Sequence, residues 1–424
     1  MHERCPWLPG NDRFDLMTLI ANGSITTPAG YSAAGIACGI KASGKPDVAI
    51  ILSDRPATVA AAFTANRIVA APVVHGRELL DRCDTIRAVV VNSGNANACT
   101  GQRGLDDAAA MAGHAAAALG LSTDEILVSS TGVIGEHLPM ETVSAGIDAA
   151  AAALSDDGGA AAAQAILTTD LVPKTCAVQL ESNGATIAIG GIAKGSGMIG
   201  PQLVTAKPHA TMLAYLTTDA AVDVTFLRAC LDRAVGVSFN AISVDGDTST
   251  NDTVVILANG AAESAPIVEG TDAAAAFEAA VTEICIELAK AIVRDGEGAT
   301  RLIEIAVTGA MNDDEARRCA GVIANSALCK TAWFGGDPNW GRIVAAAGRA
   351  GVELEPEAVQ LRFGDLVVVD GGAPLPLEES VLAAAVAGKE ITLTLDLGVG
   401  DGKAQMWSCD LSYDYVKINA EYHT

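Results

Sequence analysis

The sequence predicts a mixed α/β protein made of two closely packed halves of similar length. β-rich runs alternate with alanine-rich, helix-favouring runs, and neither a fixed repeat nor a low-complexity linker separates them. Half of the 424 residues are hydrophobic but only 4% are aromatic. We therefore expect a core built mainly from Ala, Val, Ile and Leu, in a chain long enough for about two to three domains.

In the first half, short β-rich runs end in polar turns and alternate with helical runs. The predicted strands lie at 48–53, at 86–92, from Glu125 into a glycine turn, and at 186–190. The predicted helices lie at 106–119 and at 141–165, interrupted at 156–159, with shorter helical or mixed pieces at 58–63 and 77–81. Gly120 follows the first long helix, where a left-handed residue commonly ends a helix.

The second half repeats this mixture. Its predicted helices lie at 226–235, 273–293 and 313–329, and its predicted strands at 253–257 and 303–307. The C-terminal part is β-rich, with runs at 359–363, 391–397 and 413–419. Both element types thus occur throughout, as is typical of an α/β enzyme.

Composition excludes several classes of protein. A net charge of −24 argues against nucleic acid or an anionic membrane as a general partner. Ten cysteines without a C-x-x-C pair indicate reduced core residues, and the six histidines show no metal-ligand spacing. The N-terminus lacks the order of a signal peptide, and no run reaches the ~20 apolar residues of a membrane span. We therefore expect a soluble, cytoplasmic protein.

The most informative local feature is the Ala210-Thr211 pair at the midpoint, preceded by a glycine-rich run from Gly190 to Pro201. A threonine at a chain N-terminus carries its own base, the α-amine, whose pKa of ~7.7–8.0 is close to working pH. Cleavage between these residues would create nucleophile and base in one step. No Gly-x-Ser-x-Gly elbow offers another nucleophile.

Four polar clusters allow both structural and functional interpretations. The cluster at 92–101 is typical of a turn cross-linked by Asn side chains. The pair Thr131-Gly132 follows a strand and can direct a hydroxyl and a backbone N–H to one oxyanion. The run 243–253 resembles a calcium loop but lacks its Glu, which favours a packed polar loop. Glu297, after a long helix, lies either at a pocket edge or in a capping turn.

The run Gly195-Ser-Gly-Met-Ile-Gly also matches the dinucleotide pattern G-x-G-x-x-G, with Asp219 about twenty residues later. That pattern requires a helix from the last glycine, so that the helix N-terminus faces the pyrophosphate. Pro201 and Pro208 disfavour a long helix there. The alternative is a glycine loop that bends sharply to expose a cleavable bond.

A series of ordered motifs resembles the ornithine acetyltransferase family of arginine biosynthesis, from about residue 24 to the C-terminus. The motifs are Thr26-Thr-Pro-Ala-Gly-Tyr-Ser-Ala-Ala-Gly-Ile-Ala, Ser53-Asp-Arg-Pro-Ala-Thr, Asn92-Ser-Gly-Asn-Ala-Asn-Ala-Cys-Thr-Gly, Ser130-Thr-Gly-Val-Ile-Gly, Thr168-Thr-Asp, Ala193-Lys-Gly-Ser-Gly-Met-Ile, Ala210-Thr-Met-Leu, Asp245-Gly-Asp-Thr-Ser-Thr-Asn-Asp and Arg294-Asp-Gly-Glu-Gly-Ala-Thr.

The resemblance implies an αββα sandwich and self-cleavage into an α chain, 1–210, and a β chain, 211–424, assembled as α2β2. It implies acetyl transfer from N-acetylornithine to glutamate, with acetyl-CoA accepted by some members. It implies no metal or organic cofactor.

The same resemblance assigns roles to individual residues. Thr211 is the nucleophile beyond the cut after Ala210, Thr131 and Gly132 form the oxyanion pair, and Lys194 binds a substrate carboxylate. Glu297 faces the amino end of the substrate, and the substrate-contacting threonine is Thr168 or Thr169. A C-terminal pair falls on Asn419 and Thr424.

The sequence departs from the family pattern in one segment, and three alternative functions are also considered. The segment 202–207 resembles an insertion, which leaves Thr205 as a competing cut site, and His209 replaces a usually apolar residue. The nearest alternative function is a self-processing amidohydrolase or aminopeptidase with the same nucleophile and water as acceptor. A nucleotide-binding dehydrogenase and an uncut structural protein are the other two.

Overall fold

The computed structural model describes residues 17–182, 184–201, 203 and 212–421. Within these residues, sixteen strands and eleven α-helices alternate along the chain. The strands are β1 Met17–Leu19, β2 Tyr31–Ile36, β3 Val48–Phe63, β4 Thr85–Asn95, β5 Ile126–Val133, β6 Lys174–Ser182, β7 Ala185–Lys194, β8 Leu213–Thr218, β9 Ile242–Ser243, β10 Thr253–Ala258, β11 Leu302–Ala310, β12 Gln360–Phe363, β13 Leu366–Asp370, β14 Ala373–Pro374, β15 Glu390–Asp396 and β16 Gly402–Cys409.

The helices are α1 Ala71–Leu80, α2 Gly101–Leu119, α3 Met140–Ala152, α4 Gly159–Ala165, α5 Val224–Gly236, α6 Asp272–Arg294, α7 Asp313–Ala324, α8 Ala327–Gly335, α9 Trp340–Gly348, α10 Glu379–Ala385 and α11 Tyr413–Glu421. Their ends follow ordinary capping chemistry. The Asp223 carboxylate accepts a hydrogen bond from the Phe226 N–H at the start of α5, and Gly120 closes α2 with a φ of +67°.

A nine-stranded sheet contains β1 to β8 and β10. Its strand order is β1-β6-β7-β8-β10-β3-β4-β5, with β2 paired to β3. β8 lies antiparallel to β7 and parallel to β10, and β10 lies antiparallel to the second part of β3. The two strands that follow residue 211 are thus bordered by strands that precede it.

A seven-stranded sheet of order β14-β13-β12-β15-β11-β16-β9 forms the other layer of strands. The long helix α6 packs against β6 and β7 of the first sheet and against β16 of the second. One apolar cluster therefore includes residues from both sides of the midpoint, such as Ile189, Phe226 and Ile284. The predicted α/β class, with two sheets and helices packed on them, is confirmed.

Most predicted elements are present, and two predictions are wrong. Residues 58–63, expected to be helical or mixed, continue β3, because they pair with β10. Residues 413–419, expected to be β-rich, belong to α11, where the Tyr413 ring packs edge-on against Phe334. Within the part of the chain that the structure describes, none of the helices has the length and apolar character needed to cross a bilayer.

Candidate active site

The site begins where β5 ends, at Thr131 and Gly132. Thr131 is buried, and β5 pairs in parallel with β4, so that Gly132 lies beside Gly94. Gly132 has a φ of +138°, and a Cβ at this position would overlap the backbone of Gly94 and Asn95. Only glycine fits this strand end, which keeps the backbone next to Thr131 closely packed.

Lys194, the last residue of β7, is joined to Thr131 by a hydrogen bond. Its Nζ donates to Thr131 Oγ1 over 3.2 Å, and both side chains are buried. An ammonium group has only donors, so the Thr131 oxygen is the acceptor. The hydroxyl hydrogen of Thr131 is consequently free to be donated to another oxygen, such as a developing oxyanion.

The environment of Lys194 leaves its cation available for a ligand. Burial lowers the pKa of the Lys194 ammonium and the Lys174 charge lowers it further, while the Asp170 carboxylate opposes both. Among the described residues, Lys194 takes part in no salt bridge. A buried cation without a direct carboxylate partner can bind an incoming carboxylate.

A second lysine neutralises the acids behind this position. Lys174 Nζ lies 2.6 Å from Asp170 Oδ1 and 2.6 Å from Asp295 Oδ2, all three groups being buried. Asp170 also accepts a hydrogen bond from the Gly195 N–H at 2.6 Å. Burial raises the pKa of Asp170, but the Lys194 and Lys174 ammonium groups outweigh it and hold that pKa well below its usual range. The network fixes the backbone directly after Lys194.

Glu297 and Asn419 form the next part of the site. Glu297 is buried after α6, and its Oε2 accepts a hydrogen bond from Asn419 Nδ2 of α11 at 2.8 Å. The Glu297 N–H donates to the Ser196 carbonyl at 2.9 Å, and a Cβ on Gly197 would overlap the Glu297 carboxylate. The Glu297 carboxylate also acts on the Lys194 ammonium and raises its pKa, so we treat Glu297 and Asn419 together with Lys194 and Thr131 as one candidate site.

The two threonine candidates lie in the loop between α4 and β6. Thr168 and Thr169 are half-buried, and the Thr168 N–H donates to Asp170 Oδ2 at 3.0 Å. Lys41 Nζ donates to the carbonyl of the preceding Leu167 at 2.6 Å. The loop that carries both threonines is therefore held against the same acid network.

The start of β8 lies directly beside this site. Leu213 pairs with Lys194, and the Met212 carbonyl accepts a hydrogen bond from the Thr253 N–H at 2.9 Å. Three predicted site residues, Ala210, Thr211 and Thr424, lie outside the described residues, as do His209 and, apart from Leu203, the segment 202–207.

Several polar residues at the site were not singled out from the sequence. They are Asp170, Lys174, Asn251, Asp252 and Asp295. Asn251 Nδ2 donates to the carbonyls of Ala96 at 2.6 Å and Ser130 at 2.8 Å, so it ties the loop before β10 to the end of β5. All except Lys174 lie inside motifs noted in the sequence, where an Asp or Asn beside a Gly or Thr was the available signal.

A dinucleotide site and a metal site receive less support from the structure. Residues 195–201 form no helix, so the glycine pattern lacks the helix N-terminus that a dinucleotide needs. No cluster of His, Cys, Asp and Glu within the described ranges is arranged to hold a metal. A cavity of about 550 Å³ lies instead beside Arg317 and Arg318, and none of the predicted site residues is among the described residues that line it. Thr131 and Lys194 are the better candidate for the site, because buried polar groups converge there.

The chain is similar to known proteins over almost its whole length. The ArgJ family model matches residues 32–424. The arginine biosynthesis bifunctional protein ArgJ of Symbiobacterium thermophilum is 51% identical over 404 residues, which are 95% of this chain and 99% of that protein. The protein of the same name from Gloeobacter violaceus is 48% identical over 405 residues, covering 95% of this chain and 98% of its own length. A solved structure of ornithine acetyltransferase complexed with ornithine, from Mycobacterium tuberculosis, is 42% identical and covers 44% of this chain and 100% of that chain, with a TM-score of 0.42.

Proposed function

The chain belongs to the ArgJ family, acetyltransferases of arginine biosynthesis, and we propose that it transfers the acetyl group of N-acetylornithine to glutamate through an ester on Thr211. The supporting observation is the buried Lys194–Thr131 hydrogen bond beside the first residues of β8. Thr211 stands two residues before Leu213 in the sequence.

In the proposed reaction, the Thr211 hydroxyl attacks the acetyl carbonyl while its own α-amine takes the proton. The free hydroxyl hydrogen of Thr131 and the backbone N–H of Gly132 stabilise the oxyanion, at roughly 3 kcal/mol per donor. Ornithine leaves with the proton, and the amine of glutamate then takes the acetyl group from Thr211.

Both substrates carry an α-carboxylate, and Lys194 is the group proposed to bind it. One cation can serve both half-reactions, which explains how donor and acceptor use the same pocket in turn. Glu297, held by Asn419, accepts the positively charged amino end of ornithine. Thr168 or Thr169 contacts the substrate from the facing loop, and Thr424 completes the site with Asn419.

We also propose how the chain is cleaved, how the two fragments assemble and in which compartment the enzyme acts. The chain cuts itself between Ala210 and Thr211, the resulting α chain (1–210) and β chain (211–424) assemble as α2β2, and the enzyme acts in the cytoplasm. The transfer needs no metal or organic cofactor, because an ester of Thr211 carries the acetyl group. The same transfer assay, with acetyl-CoA in place of N-acetylornithine, tests acetyl-CoA as a second donor.

The decisive experiment is a denaturing gel of the purified protein with N-terminal sequencing. We expect two fragments of nearly equal size, the second beginning Thr-Met-Leu-Ala, and one intact chain of 42.9 kDa for Thr211→Ala. N-acetylornithine alone should add about one acetyl mass to the second fragment, and glutamate should remove it. A Thr211→Ala chain that is still cut at this bond would contradict the proposal.

The alternative is hydrolysis by the same nucleophile, with water as acceptor. It predicts release of acetate from N-acetylornithine at the same rate with and without glutamate. The proposed transfer predicts acetylglutamate as the main product, and parallel initial-rate lines when both substrates are varied.

A further inference from the structure

The side-chain amide of Asn251, in the loop before β10, joins the ends of two strands from the first half of the chain. Asn251 is 2% exposed, and its Nδ2 donates to the carbonyls of Ser130 at 2.8 Å and Ala96 at 2.6 Å. Its Oδ1 accepts a hydrogen bond from Thr250 Oγ1 at 2.6 Å. Both N–H donors of the amide are therefore used, and the side chain is held in one orientation.

The end of β5 that carries Thr131 is paired irregularly with its neighbour. β5 lies at one end of the strand order of the nine-stranded sheet, next to β4. The ladder between these two strands changes register at Asn95, which lies opposite both Thr131 and Val133. Because a ladder is disrupted where its register shifts, the backbone at this end of β5 gains order from donors outside the sheet, and Asn251 supplies one to Ser130.

The hydrogen bond to Ser130 acts directly on Thr131. The Ser130 carbonyl and the Thr131 N–H belong to one planar peptide group, so a donor that fixes the carbonyl also fixes the plane that leads into Thr131. The Ser130 hydroxyl is held as well, since it donates to Asn92 Oδ1 at 2.6 Å. Threonine is β-branched and has few χ1 rotamers. The plane of this peptide group therefore largely decides where Thr131 Oγ1 lies.

Thr131 is thus held at two points, and Gly132 by a different contact. Lys194 Nζ binds the Thr131 hydroxyl oxygen, while Asn251 holds the peptide group before Thr131. Gly132 instead packs so closely on Gly94 that an added Cβ would overlap the Gly94 backbone. Loss of the Asn251 amide should consequently displace the Thr131 hydroxyl more than the Gly132 N–H.

We infer that Asn251 is a positioning residue for the oxyanion site, because its amide holds the peptide group between Ser130 and Thr131 and so aims the Thr131 hydroxyl. The inference rests on the proposed role of Thr131 as an oxyanion donor. Asn251 acts through Thr131 and is not itself assigned a contact with substrate. Since the oxyanion develops only in the transition state, a displaced donor should slow the reaction more than it weakens substrate binding.

The first test is steady-state kinetics of acetyl transfer by Asn251→Leu, with each rate expressed per mole of cut chain. Leucine also branches at Cγ but lacks both N–H donors. We expect kcat to fall about 10²-fold, as for a displacement of about 1 Å, and KM to change less than about threefold. Asn259→Leu is the matched control, since Asn259 is buried at the other end of β10 and its Nδ2 donates to the Ala29 carbonyl at 3.0 Å. It should keep the wild-type kcat.

The second test asks whether Asn251 acts through Thr131. In a Thr131→Ala background the hydroxyl is absent, so adding Asn251→Leu should lower kcat by less than about threefold further. Asn251→Gln keeps an amide and should recover part of the kcat that Asn251→Leu loses. Effects of the two substitutions that multiply in the double variant would refute the inference, and so would an Asn251→Gln enzyme as slow as Asn251→Leu.

Urea unfolding separates positioning from a purely structural role. Asn251→Leu and Asn259→Leu each remove buried hydrogen bonds, and both should still unfold cooperatively. If Asn251→Leu does not, Asn251→Ala replaces it in the kinetic tests, and failure of both to unfold cooperatively overturns the inference in favour of a structural role. A folded Asn251→Leu enzyme with kcat within twofold of the wild type overturns it as well.

The Thr131→Ala enzyme distinguishes this inference from the proposed function. If Thr131→Ala keeps the wild-type kcat, the proposed oxyanion role of Thr131 is wrong. If Thr131→Ala is slow while Asn251→Leu is as fast as the wild type, only the role of Asn251 is wrong.

Discussion

Lys194 Nζ donates a hydrogen bond of 3.2 Å to Thr131 Oγ1, and this bond sets the direction in which the Thr131 hydroxyl points its own hydrogen. In the proposed reaction, the lysine that binds the substrate carboxylate would thereby also orient the hydroxyl that stabilises the oxyanion. Substitutions should nevertheless separate the two proposed functions. Carboxylate binding by Lys194 concerns substrate binding, whereas oxyanion stabilisation by Thr131 concerns the transition state.

Thr131→Ala should lower kcat for acetyl transfer by about 10²–10³-fold with a smaller change in KM, because it removes one of the two proposed oxyanion donors. Steady-state kinetics with N-acetylornithine and glutamate measures this. Thr331→Ala, which removes an exposed hydroxyl bonded to helix carbonyls of α8, should leave both constants unchanged. A Thr131→Ala enzyme that loses affinity alone would argue against an oxyanion role.

Lys194→Ala should act mainly on KM, and for both substrates. The carboxylate that Lys194 is proposed to bind is charged in the ground state and in the transition state alike, so uniform binding is lost. Separate titrations of KM for N-acetylornithine and for glutamate check this. An increase for only one of them would show that the substrates do not share this cation.

Gly132→Ala should destabilise the protein and abolish activity. The φ of +138° is unfavourable for an L-residue, at a cost of about 1–3 kcal/mol, and the added Cβ overlaps Gly94. The control is Gly120→Ala, since Gly120 has a φ of +67° with no atom within 4 Å of an added Cβ. Urea unfolding should show the larger loss for Gly132→Ala, and equal losses would refute the close-packing argument.

Lys174→Met should lower the free energy of unfolding by about 3–5 kcal/mol, because it leaves Asp170 and Asp295 buried without their shared cation. The exposed ion pair of Arg317 and Asp314 provides the comparison, and Arg317→Met should cost less than about 1 kcal/mol. Denaturant titration of both variants measures the difference. A loss for Lys174→Met as small as that for Arg317→Met would mean that the buried acids are neutral.

Asp252 makes stability depend on pH in a defined direction. Its pKa is raised in the folded chain, so between the ordinary carboxyl pKa and the raised value the folded chain holds a proton that the unfolded chain has lost. The free energy of unfolding then falls as pH rises, by about 1.4 kcal/mol per pH unit in that window.

In a Thr211→Ala background, where both chains are expected to be intact, Asp252→Asn should therefore gain stability relative to its parent from about pH 4 upward. Urea titrations at several pH values measure the difference. A difference between the two chains that is constant with pH would show that Asp252 is ionised in the folded state.

Prediction from the sequence was most successful where the signal is local. The long helices α2 and α6 have apolar residues at helical spacing, and Gly120 marks the end of one of them. Thr131, Lys194 and Glu297 were predicted as site residues because each lies in a short motif, and the structure shows that Lys194 interacts with the other two. The C-terminal run was misassigned because Tyr, Val and Ile favour strands, whereas helix α11 is held by distant contacts such as that of Asn419 with Glu297.

The residues that were missed depend on contacts between remote parts of the chain. Lys174 and Asp295 are 121 residues apart in the sequence, and no periodicity indicates that they form an ion pair. Asp252 was assigned to a packed polar loop, which is correct for its backbone. That its carboxyl is buried, with no hydrogen-bond partner among the described residues, follows only from how β3, β8 and β10 meet.

The strand order of the nine-stranded sheet makes the two proposed fragments physically inseparable. β8 and β10 belong to the later fragment, yet β7 borders them on one side and β3 on the other, and both of these belong to the earlier one. Pulling the fragments apart would break two hydrogen-bonded ladders in the middle of a buried sheet. If the sheet is completed while the chain is still continuous, a single cut afterwards would release an amino group without releasing a subunit.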